Sequence, residues 1–325
     1  MKTFIAGAAA WAAAFTAVFM CTTGAWAQGY PERPVRLIVG FAPGGSSDIV
    51  ARLVAQQLAP LLGQPVVVEN KTGAGGMIAS DFVSKAPPDG YTLLLATAGH
   101  STQAAIMKEL PFDPIAGFAW ISPVTRYPFL IVTGTQSPIS SLADLIARAR
   151  AAPGKITYAS VGVGTSQHML AEWFSAETGI ELLHVPFKGG AATISEVMAG
   201  RVDVMFETVT ATLSNVKAGK LRALAATSPQ PTSFLPAVPA AAQSVPQFVF
   251  QSWLGVAAPP GTSAAIIERL NRDLRRMLSE PEVQKRLADI GGAAAPSSPE
   301  EMRAQISSEI ERWKKIVQSR RIEQQ

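Results

Sequence analysis

Apolar runs typical of buried strands alternate with helical patterns along most of this chain. Strands are predicted at 35–39, 65–69, 91–97, 129–134, 156–161, 181–187, 202–207, 221–227 and 248–257. Helices are predicted at 49–62, 77–85, 100–109, 142–151, 166–178, 191–199, 210–218, 263–279, 281–290 and 299–319. The Pro-rich stretches 111–128 and 229–246 are predicted to be irregular. Continuous apolar strands that alternate with helices form parallel sheets covered on both faces, so the predicted class is α/β.

The turn after the first strand, Phe41–Asp48, is rich in glycine and serine and opens the first helix. The N-terminus of a helix presents free N–H groups and a partial positive charge, both of which favour an anion. Two glycines let the backbone bend and let a ligand approach closely. The turn therefore predicts an anion cradle, with an ordinary βα turn capped by serine as the structural alternative.

A second glycine turn, Gly162–Ser166, follows strand 156–161 and opens helix 166–178. In parallel sheets, ligands lie beyond the carboxyl ends of the strands. A chain of 325 residues is also long enough for about two domains. Two facing sets of such turns predict a cleft between two lobes.

The N-terminal segment has the features of a signal peptide. Lys2 supplies a positive start, Ile5–Met20 is apolar, and Ala25–Ala27 is a small-x-small cleavage site. A membrane anchor is the alternative, but the apolar stretch is short for one. We predict that 1–27 is removed and that the mature protein is periplasmic. The single cysteine, Cys21, lies within this segment, so the mature chain has no thiol or disulfide chemistry.

The amino-acid composition of the chain limits the classes of molecule that it is expected to bind. Apolar residues make up 48% and charged residues 16% of the chain, which suits a compact globular protein. The formal charge of +4 falls by one unit once Lys2 is removed. The basic residues of 312–315 and 320–321 are interpreted as the solvated face and end of a helix. No nucleic acid partner is expected, and the charge permits a small acidic ligand.

The familiar catalytic motifs are missing from the sequence. Its three histidines form no His-Glu-x-x-His pair, and there is no Gly-x-Ser-x-Gly elbow. The segment 162–167 matches a dinucleotide fingerprint only in its first two glycines, since Gln167 stands where the third glycine belongs. We therefore predict no catalytic residue, no metal and no cofactor.

Nine stretches together resemble the Bug family, the periplasmic solute-binding receptors of tripartite tricarboxylate transporters. They occur in the family's order and spacing: Tyr30–Arg36, Phe41–Asp48, Gly63–Gly76, Pro88–Leu94, Leu110–Pro114, Gly164–Met169, His184–Gly189, Gly200–Phe206 and Ala218–Ala225. Each stretch alone is a weak signal, whereas nine in order are specific.

The resemblance implies a type II periplasmic binding protein, with two lobes of parallel or mixed sheet around a ligand cleft. The two strands that join the lobes are expected near 129–134 and 248–257. Lobe 1 would then comprise 28–128 and 250–325, and lobe 2 would comprise 129–249. The implied function is to capture a small organic acid and deliver it to a tripartite membrane permease, as a monomer. The candidate ligands are dicarboxylates, tricarboxylates, acidic amino acids and aromatic acids.

The resemblance also implies the residues that contact the ligand. Those from the first lobe are Phe41, Gly44, Gly45, Ser46, Ser47, Asp48, Thr97 and Ser101. Those from the second lobe are Gly164, Thr165, Ser166, His168 and Glu207. Two positions depart from the common pattern: Ala42 replaces a usual second proline, and Glu207 replaces a common aspartate, which adds a methylene to the pocket wall.

Several alternatives stay open at this point. Asp48 either faces an amino group of the ligand or satisfies N–H groups of its own helix. His168 either touches the ligand or bonds the backbone. The turn Gly73–Gly76 either cradles a second anion or serves packing. At the level of function, the alternatives are a periplasmic ligand sensor and an exported enzyme acting on a small organic acid.

The cleavage site makes the first testable prediction. Intact mass spectrometry of protein recovered from the periplasm should give the mass of Gln28–Gln325, with or without cyclisation of the new N-terminal glutamine. Recovery of an uncleaved chain embedded in the membrane would contradict it.

Overall fold

The structure, a computed structural model, describes residues 29–325. The predicted signal peptide, its cleavage site and Gln28 lie outside these residues. Over 29–325, no helix combines the length and the apolar character that crossing a bilayer requires.

The described residues form ten strands and ten α-helices. The strands are β1 Val35–Val39, β2 Val66–Asn70, β3 Thr92–Thr97, β4 Ala119–Gly134, β5 Thr157–Ser160, β6 Leu183–Pro186, β7 Val204–Thr208, β8 Leu221–Ala226, β9 Gln251–Ala258 and β10 Ala293–Ala294. The helices are α1 Ser46–Leu62, α2 Met77–Ser84, α3 Gly99–Ile106, α4 Leu142–Ala151, α5 Ser166–Thr178, α6 Gly190–Met198, α7 Val209–Lys217, α8 Ala264–Ser279, α9 Pro281–Asp289 and α10 Pro299–Ser319.

Local sequence signals explain most helix boundaries. Helix α1 buries Val50, Val54 and Leu58 on one face and ends at Gly63, whose φ of 71° is left-handed. Helix α4 begins where the Ser141 side chain accepts a hydrogen bond from the Asp144 amide. Helix α10 begins with a complete capping box at Ser298.

The strands form two mixed sheets that share β4. In the first sheet the order is β2-β1-β3-β9-β4, with β1 parallel to β2 and β3, and β9 antiparallel to both of its neighbours. In the second sheet the order is β8-β4-β7-β5-β6, with β5 parallel to β6 and β7, and β4 antiparallel to β7 and β8. Helices cover both sheets, as the alternating pattern predicts.

Strand β4 runs through both sheets without a break. Residues up to Pro128 pair with β9, and Phe129 onwards pairs with β7 and β8. The prediction that 111–128 is irregular is therefore wrong from Ala119 onwards. Proline is normally a signal against a central strand. Here the pairing with β9 shifts register between Pro123 and Thr125, and a bulge of this kind tolerates a residue without an N–H.

The return connection passes beside β4 through Thr227. Its amide donates to the Phe129 carbonyl and its carbonyl accepts from the Phe250 amide, both at 2.9 Å. Its hydroxyl accepts from the Phe129 amide at 2.8 Å and donates to the Phe250 carbonyl at 2.7 Å. Thr227 thus ties together the two segments that pass between the sheets. The lobe boundaries at 128/129 and 249/250 stay a prediction.

Replacing Thr227 by valine should lower the free energy of unfolding by about 1–3 kcal/mol, because the buried Phe129 amide loses an acceptor. Urea unfolding would show this as a lower midpoint with an unchanged slope. Ser195→Ala, which removes an exposed hydroxyl from α6, is the control and should change stability by less than about 0.5 kcal/mol. Equal stability of the two variants would contradict the bridging role of Thr227.

Candidate functional site

A cavity lies between the two sheets, at the carboxyl ends of β1, β3, β5 and β7. Its lining residues are Phe41, Gly45, Ser46, Ser47, Thr97, Gly99, Tyr127, Phe129, Val161, Thr165, Ser166, Gln167, Gly190, Glu207, Thr208 and Ser252. The empty space between them, including the open mouth, is about 470 Å³. A space of this size suits a small ligand.

Five helices begin at this cavity. The lining includes first-turn or cap residues of α1, α3, α5, α6 and α7. Each helix N-terminus carries about half a positive charge and N–H groups without intrahelical acceptors. Neither α1 nor α6 has a side chain that caps these groups, since their cap residues are Gly45 and Gly189. Within the described residues, the lining contains no lysine, arginine or histidine, so backbone amides and hydroxyls supply the attraction for an anion.

The first turn is held in shape by Asp48. The buried carboxylate accepts two hydrogen bonds from Arg52 at 2.9 Å, one from Asn70 at 3.1 Å and one from the Gly44 amide at 3.1 Å. Gly44 has a φ of +86°, which favours glycine, whereas Gly45 at −87° does not need to be glycine for its backbone. Burial acts to raise the pKa of the Asp48 carboxyl, but the bonds from Arg52, Gly44 and Asn70 outweigh it and lower the pKa.

This network bears on the two interpretations of Asp48. All four bonds come from the turn, from its own helix and from β2, and the side chain does not line the cavity. The geometry favours the structural interpretation of Asp48, with Arg52 and Asn70 as partners in addition to a backbone amide.

The second turn is braced by its own hydroxyl and by the first sheet. The Thr165 hydroxyl donates to the Gly162 carbonyl at 2.6 Å. A Cβ at Gly75 would lie 3.0 Å from Cγ2 of Thr165 and 3.0 Å from the Val163 carbonyl oxygen. The Gln103 amide in turn donates to the Gly75 carbonyl at 2.8 Å. The turn Gly73–Gly76 thus packs against the second turn, which supports its packing interpretation.

His168 lies below the second turn, away from the cavity. Its Nδ1 accepts from the Gly164 amide at 3.4 Å, and its ring centre is 4.7 Å from that of His184. Burial, followed by the neighbouring His184, lowers the pKa of His168 to about 4. His184 in turn contacts the Ser160 hydroxyl at 2.6 Å. The structure supports the backbone-bonding interpretation of His168.

Glu207 is the one carboxylic acid among the lining residues that the structure describes. It is 2% exposed. Its Oε1 accepts from the Thr208 amide at 2.8 Å, the Thr208 hydroxyl at 3.1 Å and the Gln167 amide at 3.3 Å. Burial raises the pKa of Glu207, although the bonds from Thr208, Gln167 and Thr193 act against it. Burial also raises the pKa of Tyr127, the other titratable residue of the lining.

Eight of the residues implied by the resemblance line the cavity together: Phe41, Gly45, Ser46, Ser47, Thr97, Thr165, Ser166 and Glu207. Five do not, namely Gly44, Asp48, Ser101, Gly164 and His168. Ser101 is fully buried and its hydroxyl donates to Glu309 at 3.2 Å. Gly44 and Gly164 shape their turns, and their amides bond Asp48 and His168. Ligand contact by these five stays a prediction, and in the structure they lie outside the lining and support its turns.

Sequence reasoning missed half of the lining. The missed residues are Gly99, Tyr127, Phe129, Val161, Gln167, Gly190, Thr208 and Ser252. Gly190 lies in a turn recognisable from Lys188-Gly189-Gly190 at the start of a helix. Tyr127 lies in the stretch 111–128, whose prolines hid the strand, whereas Phe129 lies in the predicted strand 129–134, where no local signal marked it as a lining residue. Across residues 29–325 there is no cluster of three or more metal-ligating side chains.

The sequence matches the family model described as tripartite tricarboxylate transporter family receptor over residues 50–322. Protein BugT of Bordetella pertussis is 36% identical over 307 residues, covering 92% of this chain and 94% of BugT. A UPF0065 protein from the tcbD-tcbE intergenic region of Pseudomonas sp. strain P51 is 36% identical over 306 residues, covering 93% of this chain and 91% of that protein.

Solved structures of similar proteins have the same fold as this chain. The periplasmic binding protein BugD superposes with a TM-score of 0.88 at 33% identity, over 91% of this chain and 100% of BugD. A protein of R. palustris with adipate gives a TM-score of 0.87 at 33% identity, over 90% of this chain and 98% of that one. MatC from Rhodopseudomonas palustris with bound malate gives 0.85 at 30% identity, over 89% of this chain and 100% of MatC.

The Asp48 network predicts a pH-dependent contribution to stability. Asp48→Asn should lower the free energy of unfolding by about 1–3 kcal/mol near neutral pH, because hydrogen bonds to a charged group are lost. A carboxyl with a lowered folded-state pKa stabilises the fold above its unfolded pKa, and this stabilisation is lost as the pH falls through the folded value. Urea unfolding at several pH values should show the two proteins converging in acid.

The matched control is Asp289→Asn, which breaks an exposed ion pair with Lys285. It should change stability by less than about 1 kcal/mol at any pH. A constant difference between wild type and Asp48→Asn down to acid pH would mean that the carboxylate charge does not hold the turn.

Proposed function

The chain belongs to the tripartite tricarboxylate transporter receptor family, and we propose that it captures a small carboxylate-bearing organic acid in the cavity between its two sheets. The membership confirms the resemblance to the Bug family drawn from the nine motifs. The match to BugD likewise confirms the predicted periplasmic binding protein fold.

The observation that carries the proposal is the convergence of five helix N-termini on a cavity whose described lining has no basic side chain. Free N–H groups and helix dipoles bind a carboxylate without a salt bridge. The adipate and malate held by two similar structures are both acids of this class. The small volume of the cavity also favours an acid of few carbons.

Binding without turnover is the part of the proposal that sets it apart from an exported enzyme. The described lining offers two titratable side chains, Glu207 and Tyr127, and burial raises the pKa of both. Hydroxyls without an adjacent base are poor nucleophiles. The family is one of receptors, which supports the same interpretation.

Delivery to a tripartite permease, export to the periplasm and action as a monomer complete the proposed function. Contact between the glycine turns of the two sheets favours capture by closure, because a ligand bonded to both turns stabilises the closed arrangement.

The site predicts that two substitutions at the N-terminus of α1 weaken binding of the organic acid. Ser47→Ala removes a lining hydroxyl, and a hydrogen bond to a charged group is worth about 1.5–3 kcal/mol, so affinity should fall roughly ten- to hundredfold. Gly45→Val should fold, since φ is −87°, but its side chain would fill the gap towards Gly190 and lower affinity at least as much. Native mass spectrometry of fresh protein identifies the bound acid, and calorimetry with a panel of malate, adipate, aspartate and nicotinate measures affinity.

Ser140→Ala is the matched control, because it removes an exposed hydroxyl far from the lining and should leave affinity unchanged. If Gly45→Val folds and binds like wild type, the acid is held elsewhere. If wild type binds no acid of the panel and carries none when purified, the proposed function fails.

A further inference from the structure

A cavity that attracts anions is not expected to have a buried carboxylic acid in its wall, but Glu207 lies there. We propose that Glu207 carries a proton when the organic acid is bound and donates a hydrogen bond to the ligand's carboxylate. This inference rests on the proposed function and assigns Glu207 a role in the same site. It replaces the simple view that its extra methylene only reshapes the pocket wall.

The two oxygens of Glu207 have different surroundings. Oε1 accepts three hydrogen bonds, from the amide and hydroxyl of Thr208 and from Gln167, which leaves it no room for another donor. Oε2 lies 3.6 Å from where a Cβ of Gly190 would be, and that same point is 3.7 Å from Cα of Gly45. Oε2 is therefore the oxygen at the N-termini of α6 and α1, where the ligand's carboxylate is expected.

The described lining has no lysine, arginine or histidine to balance two negative charges, and Lys188, just before α6, is exposed. Tyr127 on β4 is the other titratable residue of the described lining, and it is neutral at ordinary pH. Helix α1 carries Asp48, whose charge is matched by Arg52, and α5 carries His168, which is directed at His184. The first turns of α6 and α7 add the neutral Thr193 and Thr208. Two buried carboxylates at hydrogen-bond distance repel each other strongly, and this repulsion favours the state in which one of them keeps a proton.

An ionised Glu207 paired with an ammonium group is the competing arrangement. It would place a cation at the N-termini of α6 and α1, where the helix dipoles repel positive charge. Three donors already occupy Oε1, so only Oε2 would be left as an acceptor for three ammonium protons. The geometry favours a proton over an ammonium group.

The proton balance fixes the direction of the pH effect. Binding a carboxylate beside Glu207 disfavours its charged form and raises its pKa, so the complex retains or takes up one proton. The stabilisation of the complex is complete below the pKa of free Glu207 and is lost as the pH rises towards the pKa of the complex. Above the free-protein value, affinity falls by up to about tenfold per pH unit.

The test uses the full mature chain and the tightest-binding acid of the panel malate, adipate, aspartate and nicotinate, labelled with carbon-13. Infrared difference spectra of the complex should contain the carbonyl band of an unlabelled carboxylic acid, and Glu207→Gln should remove that band. The glutamine keeps an N–H donor, so this variant should bind within about fivefold of wild type and lose the steep decline at high pH. Glu181→Gln removes an exposed carboxylate of the same type and should keep both the band and the pH profile.

Three other results of this experiment are informative, and each contradicts a different part of the proposal. A tightly bound acid with no such band overturns the protonated Glu207 and leaves the proposed function intact. Preferred binding of aspartate that Glu207→Gln abolishes assigns the ammonium arrangement instead. Absence of binding by every acid of the panel overturns the proposed function, and this inference with it.

Discussion

The direction in which each helix leaves its strand is the constraint on which the site depends. Strands β1, β3, β5 and β7 all end at the cavity, and the helix that follows each of them begins there. The N–H groups of a first helical turn have no intrahelical acceptors, so the fold itself supplies a group of donors pointing the same way. Because these donors belong to the backbone, the binding of an anion needs no basic side chain. The side chains of the lining are then free to decide which anion fits.

Backbone donors also limit what the side chains around them can be. A lysine or arginine in so small a cavity would compete with the amides for the same carboxylate and would fill part of the space. Hydroxyls such as Ser47 and Thr97 add donors at little cost in volume. An acid such as Glu207 fits this environment only while its own charge is suppressed or shared. A carboxylate ligand held by these amides beside Glu207 would disfavour the charged form of Glu207.

The sequence predicted the regular alternation of strands and helices better than the places where the chain departs from it. Every predicted strand and helix has a counterpart in the structure, because hydrophobic periodicity and glycine turns are local signals. The long strand β4 was predicted only from 129 onwards, since the bulge that accommodates Pro123 depends on its pairing with β9. Asp48 and His168 lie in the right motifs, but their partners Asn70 and His184 are distant in sequence. Which residue faces the cavity is decided by such pairings, so the motifs predicted the place of the candidate site without fixing the residues that line it.

The contacts between the two sheets at the cavity are made largely by backbone, and this explains the position of several glycines. A Cβ at Gly189 would lie 2.8 Å from Cβ of Ala42, and a Cβ at Gly75 would lie 3.0 Å from the Val163 carbonyl oxygen. Neither position has room for a side chain while the turns are in contact. Ala42 is one of the two departures from the family pattern, and its methyl group faces Gly189 directly. Close approach of bare backbone brings the amides of α1 and α6 within reach of one small ligand. Gly189, whose φ of −175° any residue can adopt, is thus required for the distance between the two turns rather than for the shape of its own turn, whereas Gly75 at a φ of 63° serves both.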